Sequence, residues 1–229
     1  MLRRLLTITF ALFSAFLMAQ DRYCTFKEIN GDEVFYFNYK FTSTSSGHII
    51  ESIKTFNNDT IEKQILSTDK KYNSLKWEYI RESDQTHVIA KLNGDVVIFK
   101  GKNDGDKINE EFELDGYPWI QIFPMNPGFN EWIKSKEEEI RFWIIGNAGP
   151  IDMEISKFVA KKEGIEKLKI LNKNIECWNI EMTLSGWKSF FWTGNYFYTK
   201  KNMRVVKYEG DGSPGSSGSV TTIVDEINN

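Results

Sequence analysis

The chain of 229 residues is poor in the residues that usually carry chemistry: two cysteines, two histidines and five prolines. Each scarcity excludes something. Cys24 and Cys177 leave room for one disulfide at most. His48 and His87 fall on separate expected strands, and no cluster of His, Cys and carboxylate has the spacing of a zinc site. No metal or cofactor is therefore expected. There is no Gly-x-Ser-x-Gly elbow, no phosphate-cradling loop and no dinucleotide fingerprint, so no catalytic residue is nominated. Charge of one sign is also missing, with 29 Lys and Arg against 32 Asp and Glu and a net charge of −3. Without a basic face, nucleic acid is not an expected partner.

Long hydrophobic runs are absent except at the start. Met1-Leu2-Arg3-Arg4 precedes an apolar block from Leu5 to Met18, which ends at Ala19-Gln20. A basic start, a short apolar core and a small residue at the end have the layout of a secretory signal peptide. The block is shorter than the roughly 20 apolar residues of a membrane span. We expect residues 1–19 to be removed, leaving 20–229 as one domain without a transmembrane segment, periplasmic or secreted. Export permits a bridge between Cys24 and Cys177. Two separate thiols are the other reading.

What is abundant is aromatic: 14% of the residues are Phe, Trp or Tyr. They sit in short alternating runs, as half-buried strands require. Such runs cover Glu33–Phe41, Ile49–Phe56, Ile61–Leu66 and Leu75–Ile80, where Leu75, Trp77 and Tyr79 share a parity. His87–Leu92 and Val96–Phe99 flank Asn93-Gly94, a strong hairpin signal. After Ile108–Leu114 the pattern breaks. Gly116, Pro118, Pro124, Pro127 and Gly128 make 115–139 an irregular connection. Within it, Phe129, Trp132 and Ile133 have the spacing of one helix face. Strands resume at Ile140–Ile145, Ile151–Lys161 and Ile165–Leu171, the last two separated by a turn at Glu163-Gly164. Later runs extend to Val220–Ile227, after a glycine- and serine-rich loop. About a dozen short strands imply an all-β, mostly antiparallel sandwich or barrel-like sheet.

Asp115-Gly116-Tyr117-Pro118-Trp119-Ile120-Gln121 and the late run from Gly186 through Trp192 and Tyr196 to Tyr198 carry a resemblance. With the leader and Arg204–Gly210, they look like an uncharacterised bacterial family of exported β-rich proteins, a domain of unknown function. Its fold is similar to the open half-barrels of lipoprotein carriers such as LolA and LppX. The resemblance implies a strongly curved antiparallel sheet with a helix or loop against its concave face. It brings no catalytic residues. Trp119 and Gln121 match its proline-tryptophan motif, and Trp192 and Tyr196 its late aromatic strand. All four read first as packing residues. A buried Trp needs a partner for its N–H, which Gln121 is near enough to supply.

The expected function is non-catalytic binding of a hydrophobic or lipid-like ligand in the concavity, with Trp77, Trp119, Gln121, Trp143, Trp192 and Tyr196 as the candidate lining. A structural or protein-interaction module of the envelope is the first alternative. A carboxylate-based hydrolase is the second, with Glu110, Glu111, Glu113, Asp152 and Glu154 as candidate acids. The sequence does not specify an oligomeric state.

Overall fold

The computed structural model describes residues 21–122, 125–147, 153–190, 192–210 and 219–228. The expected leader, Asp152 and the loop at 211–218 lie outside them. Among the described residues, fourteen strands form one antiparallel sheet. The first eight are β1 (Arg22–Asn30), β2 (Glu33–Ser43), β3 (Gly47–Phe56), β4 (Asp59–Asp69), β5 (Ser74–Arg81), β6 (Thr86–Asn93), β7 (Val96–Asn103) and β8 (Asp106–Glu113). They run as an up-and-down meander. A second meander follows: β9 (Glu139–Asn147), β10 (Met153–Ile170), β11 (Lys173–Leu184), β12 (Thr193–Thr199), β13 (Val205–Gly210) and β14 (Ser219–Asn228).

β1 pairs with β14, so the first and last strands meet in the middle of the sheet. The two edges are β8 and β9, and the irregular connection joins them. The sheet curls strongly but does not close into a barrel, as accumulated strand twist allows. The expected all-β open half-barrel is thus observed, with fourteen strands rather than about a dozen. Asp106, Lys107, Glu110, Glu111 and Glu113 are all exposed on β8, and such charge protects an unpaired edge.

The connection lies against the concave face. Its short helix, α1 (Phe129–Lys134), buries Phe129, Trp132 and Ile133, the face read from their spacing. Phe129 packs edge-on against Phe142 of β9 at 4.9 Å. Ser135 ends the helix: its N–H bonds back to Glu131 and Trp132, and its Oγ donates to the Trp132 carbonyl at 2.8 Å.

Two local expectations are corrected, and β1 is a strand beyond those read from the sequence; its inward positions are Cys24, Phe26 and Glu28. The break at Glu163-Gly164 is a bulge inside one 18-residue strand, where the pairing with β11 skips between Lys162 and Gly164. Gly164 sits at φ +136°, a conformation glycine tolerates best. Leu75 does not share a face with Trp77 and Tyr79. Pairing between β4 and β5 shifts at Ser67/Thr68, so Ser74 turns inward and Leu75 is left 42% exposed.

The cysteines are free and both are buried. Cys24 lies on β1 and Cys177 on β11, with β14, β13 and β12 between them. Successive strands are about 4.8 Å apart, whereas a bridge needs Cα atoms within about 7 Å, so the disulfide is not formed. Burial raises the Cys177 thiol to about 11.

Candidate functional site

The site is built by the way the connection crosses the concave face. Pro118 to Gln121 runs beside β9 as a surrogate strand. The Trp143 N–H donates to the Pro118 carbonyl at 2.9 Å, and the Ile120 N–H to the Trp143 carbonyl at 3.0 Å. Gln121 then continues the ladder with its side chain. Its Oε1 accepts from the Ile145 N–H at 3.0 Å, and its Nε2 donates to the Ile145 carbonyl at 2.7 Å. The same Oε1 accepts the Trp119 indole N–H at 2.9 Å. On its other side the strap is tied to β5, where the Gln121 N–H donates to Ser74 Oγ at 2.8 Å. Asn126 Nδ2 bonds both the Tyr72 and the Gln121 carbonyls at 3.2 Å. The strap thereby satisfies the edge-facing backbone groups of Trp143 and Ile145 on β9, as buried backbone requires.

Among the described residues, the curl encloses two main chambers, one of which has a continuation. The larger, about 380 Å³, is lined by Phe26, Phe37, Tyr39, Tyr196 and Tyr208 among its aromatics, with Ile122, Met125, Ile144 and Val205. Its polar wall is Glu28, Lys54, Glu62 and Gln64. We call it the carboxylate chamber. Lys54 Nζ lies 3.3 Å from Glu28, both mostly withdrawn from water, and 4.3 and 4.8 Å from the ring centres of Phe35 and Phe37. Glu62 accepts from Gln64 Nε2 at 2.7 Å and from Tyr79 Oη at 3.0 Å, while Gln64 Oε1 accepts the Trp77 N–H at 3.0 Å. A further space of about 240 Å³ continues past Glu62 and Gln64 to Trp77, Tyr79 and Arg81. Burial is the largest cause that raises the phenols of Tyr39 and Tyr79 far above their ordinary value, so both are neutral at physiological pH.

The smaller space, about 220 Å³, includes Arg22, His48, Tyr72 and Arg204 in its lining and no carboxylate among the described residues. It is the guanidinium chamber. His48 stacks on Tyr72 at 4.0 Å, and burial holds its ring below the ordinary histidine value. Met125 and Val205 border both chambers.

The structure divides the expected site residues. Gln121 and Tyr196 line the carboxylate chamber, and Trp77 and Gln121 its continuation. Trp119 is buried in the strap, 2% exposed, and lines neither chamber. Trp143 stands at the seam between the sheet edges. Its ring meets Phe112 of β8 at 4.6 Å, and its N–H donates to Asp115 at 3.1 Å. Lys157 Nζ also reaches Asp115, at 2.6 Å, and this hydrogen bond holds the Asp115 carboxyl below its ordinary range. Trp192 packs edge-on against Phe158 at 5.6 Å and bonds Tyr208, so it supports the chamber wall from behind. Glu110, Glu111 and Glu113 are exposed on edge β8.

Glu28, Lys54, Glu62 and Gln64 were missed. A signal exists: each occupies the same parity as buried neighbours on its strand, Phe26 on β1, Ser52 on β3 and Leu66 on β4. A polar side chain on the inward parity is the mark of a wet interior rather than a sealed core.

No protein-family model and no curated protein sequence matches the chain. A solved structure shares the fold: a β-barrel-like protein of the domain of unknown function DUF1849 from Brucella abortus. Its TM-score is 0.64 at 7% identity, covering 93% of this chain and 98% of that one. The expected likeness to an uncharacterised β-rich family is therefore found, at the level of fold. Two more distant structures are the hypothetical lipoprotein YmcC from Escherichia coli and a LolA superfamily protein from Nitrosomonas europaea. The first has a TM-score of 0.35 at 11% identity, covering 89% and 84% of the two chains, and the second 0.27 at 9%, covering 92% and 86%. At those scores neither carries an argument about this chain.

Proposed function

We propose that this chain is an exported, non-catalytic protein that holds a hydrophobic or lipid-like ligand in the concave face of its sheet. The observation that carries this reading is the 380 Å³ chamber inside the curl, which the strap and α1 leave unfilled. Its volume falls in the range of small-ligand sites, and its lining combines aromatic and aliphatic side chains with a few convergent polar groups. The leader supports export. Among the described residues no helix is long and apolar enough to cross a membrane.

The test uses an uncharged fluorescent probe that brightens in apolar surroundings, N-phenyl-1-naphthylamine. The purified protein should take it up saturably. Thr221 lines the chamber, so Thr221→Trp fills it and should weaken uptake about tenfold, a loss of ~1.4 kcal/mol. Absence of uptake, or uptake that Thr221→Trp leaves unchanged, overturns the reading.

A further inference from the structure

We propose that the carboxylate chamber selects amphiphiles bearing a positive charge, such as a primary amine on an apolar body. This rests on the ligand-holding reading above and adds the sign of the head group. Three observations carry it.

The first is the charge of the wall. Glu28 and Glu62 line the chamber against a single ammonium, Lys54. Glu28 and Lys54 are 14% and 21% exposed, so solvent screens this excess of negative charge only partly. A second carboxylate brought in by a ligand would face two acids. It could reach Lys54 only by competing with Glu28.

The second is what the wall already does with a cation. Lys54 lays its ammonium over the faces of Phe35 and Phe37 while it pairs with Glu28. Aromatic faces beside a carboxylate are the surroundings in which a partly desolvated ammonium is stabilised. The chamber repeats those surroundings at Glu62, with Tyr39, Tyr196 and Tyr208 in the same lining. Among the described residues no cation pairs with Glu62, and Arg81 in the continuation, which feels its charge, is paired with Asp84.

The third is the preorganisation of Glu62. Gln64 and Tyr79 each donate to a different oxygen of this carboxylate. The two bonds fix its orientation, and each oxygen keeps a second acceptor site. Glu62 also sits where the chamber meets its continuation toward Trp77. A head group bound there has room for an apolar tail on either side.

The experiment displaces N-phenyl-1-naphthylamine from the full chain with dodecylamine, dodecanol and dodecanoate, each below its micelle concentration. Dodecylamine should displace the probe at about tenfold lower concentration than dodecanoate, with dodecanol between them. Glu62→Gln should bring the amine and the alcohol together, whereas Glu111→Gln, on the exposed edge, should change nothing. Thr221→Lys adds a cation to the lining and should move the preference toward dodecanoate. It keeps the test decisive if Glu62→Gln does not fold. A dodecanoate preference in the wild type, or an amine preference that survives in Glu62→Gln or Thr221→Lys, overturns the charge selection alone. If none of the three displaces the probe, the ligand-holding reading falls and the inference falls with it.

Discussion

The two chambers share β1, β2, β3, β12, β13 and β14, yet their charged linings differ, and β4 adds Glu62 to one of them only. β1 contributes Arg22 to one and Glu28 to the other, and β3 contributes His48 to one and Lys54 to the other. β2 supplies aromatic rings to both, Phe41 to the first and Phe37 and Tyr39 to the second. On the shared strands the difference is one of position along the strand. In an antiparallel sheet, inward residues recur every second position, and each step of two moves the side chain along the concavity. A strand six or eight residues long can write one chemistry at one end and another at the other. The strap divides them, because Met125 fills the space between.

Breaking the strap should have the largest effect. Trp119 is buried, bonded to Gln121, and holds the side chain that completes the β9 ladder. Trp119→Ala should cost about 3–5 kcal/mol of stability, read from the denaturant midpoint, and should degrade both chambers together. A loss confined to ligand uptake, with stability intact, would show that the strap does not hold the sheet edges.

Removing the partition comes next. Met125→Ala should cost about 2–4 kcal/mol and join the two spaces. Hexadecanol should then displace the probe at lower concentration than it does from the wild type, while dodecanol is little changed. Equal chain-length dependence in both proteins would mean that Val205 and the neighbouring backbone keep the chambers apart.

The smallest expected effect belongs to the guanidinium chamber alone. Burial depresses the His48 pKa below 6.5, opposed by a backbone hydrogen bond and the Asp69 charge. The unfolded chain therefore takes up this proton first as pH falls. The stability linked to the neutral ring is complete above the ordinary value of 6.5 and is lost as pH falls through the folded value. The thermal midpoint should drop on acidification through this window, and His48→Gln should drop less. Identical pH profiles would assign the acid sensitivity to carboxylates elsewhere.

Much of the fold was legible because its signals are local. Asn93-Gly94 marked its hairpin, with Gly94 at φ +61°, and the buried face of α1 followed from the three- and four-residue spacing of Phe129, Trp132 and Ile133. The partner of the Trp119 N–H could be read two residues away, at Gln121. The site was legible only in part. Trp119, Trp143 and Trp192 were expected to line the concavity, and they build the strap, the seam and the wall support instead. Large aromatics mark where packing is dense, and dense packing is not a cavity. The residues that give the chamber its charge are the polar Glu28, Lys54, Glu62 and Gln64, and alone on their strands they look like ordinary surface positions.

The sequence by itself determined the alternation, and with it the all-β class, the approximate strands and the break at 115–139. Those follow from period, turn chemistry and proline, which act between near neighbours. Only the tertiary structure decided which strands lie side by side. It placed Lys54 within reach of Glu28 across β2, and it set Cys24 and Cys177 apart. It turned Leu75 outward through one bulge, and it left a space beside Glu62. These outcomes depend on register and curl summed over many strands, where a shift of one residue exchanges inside for outside.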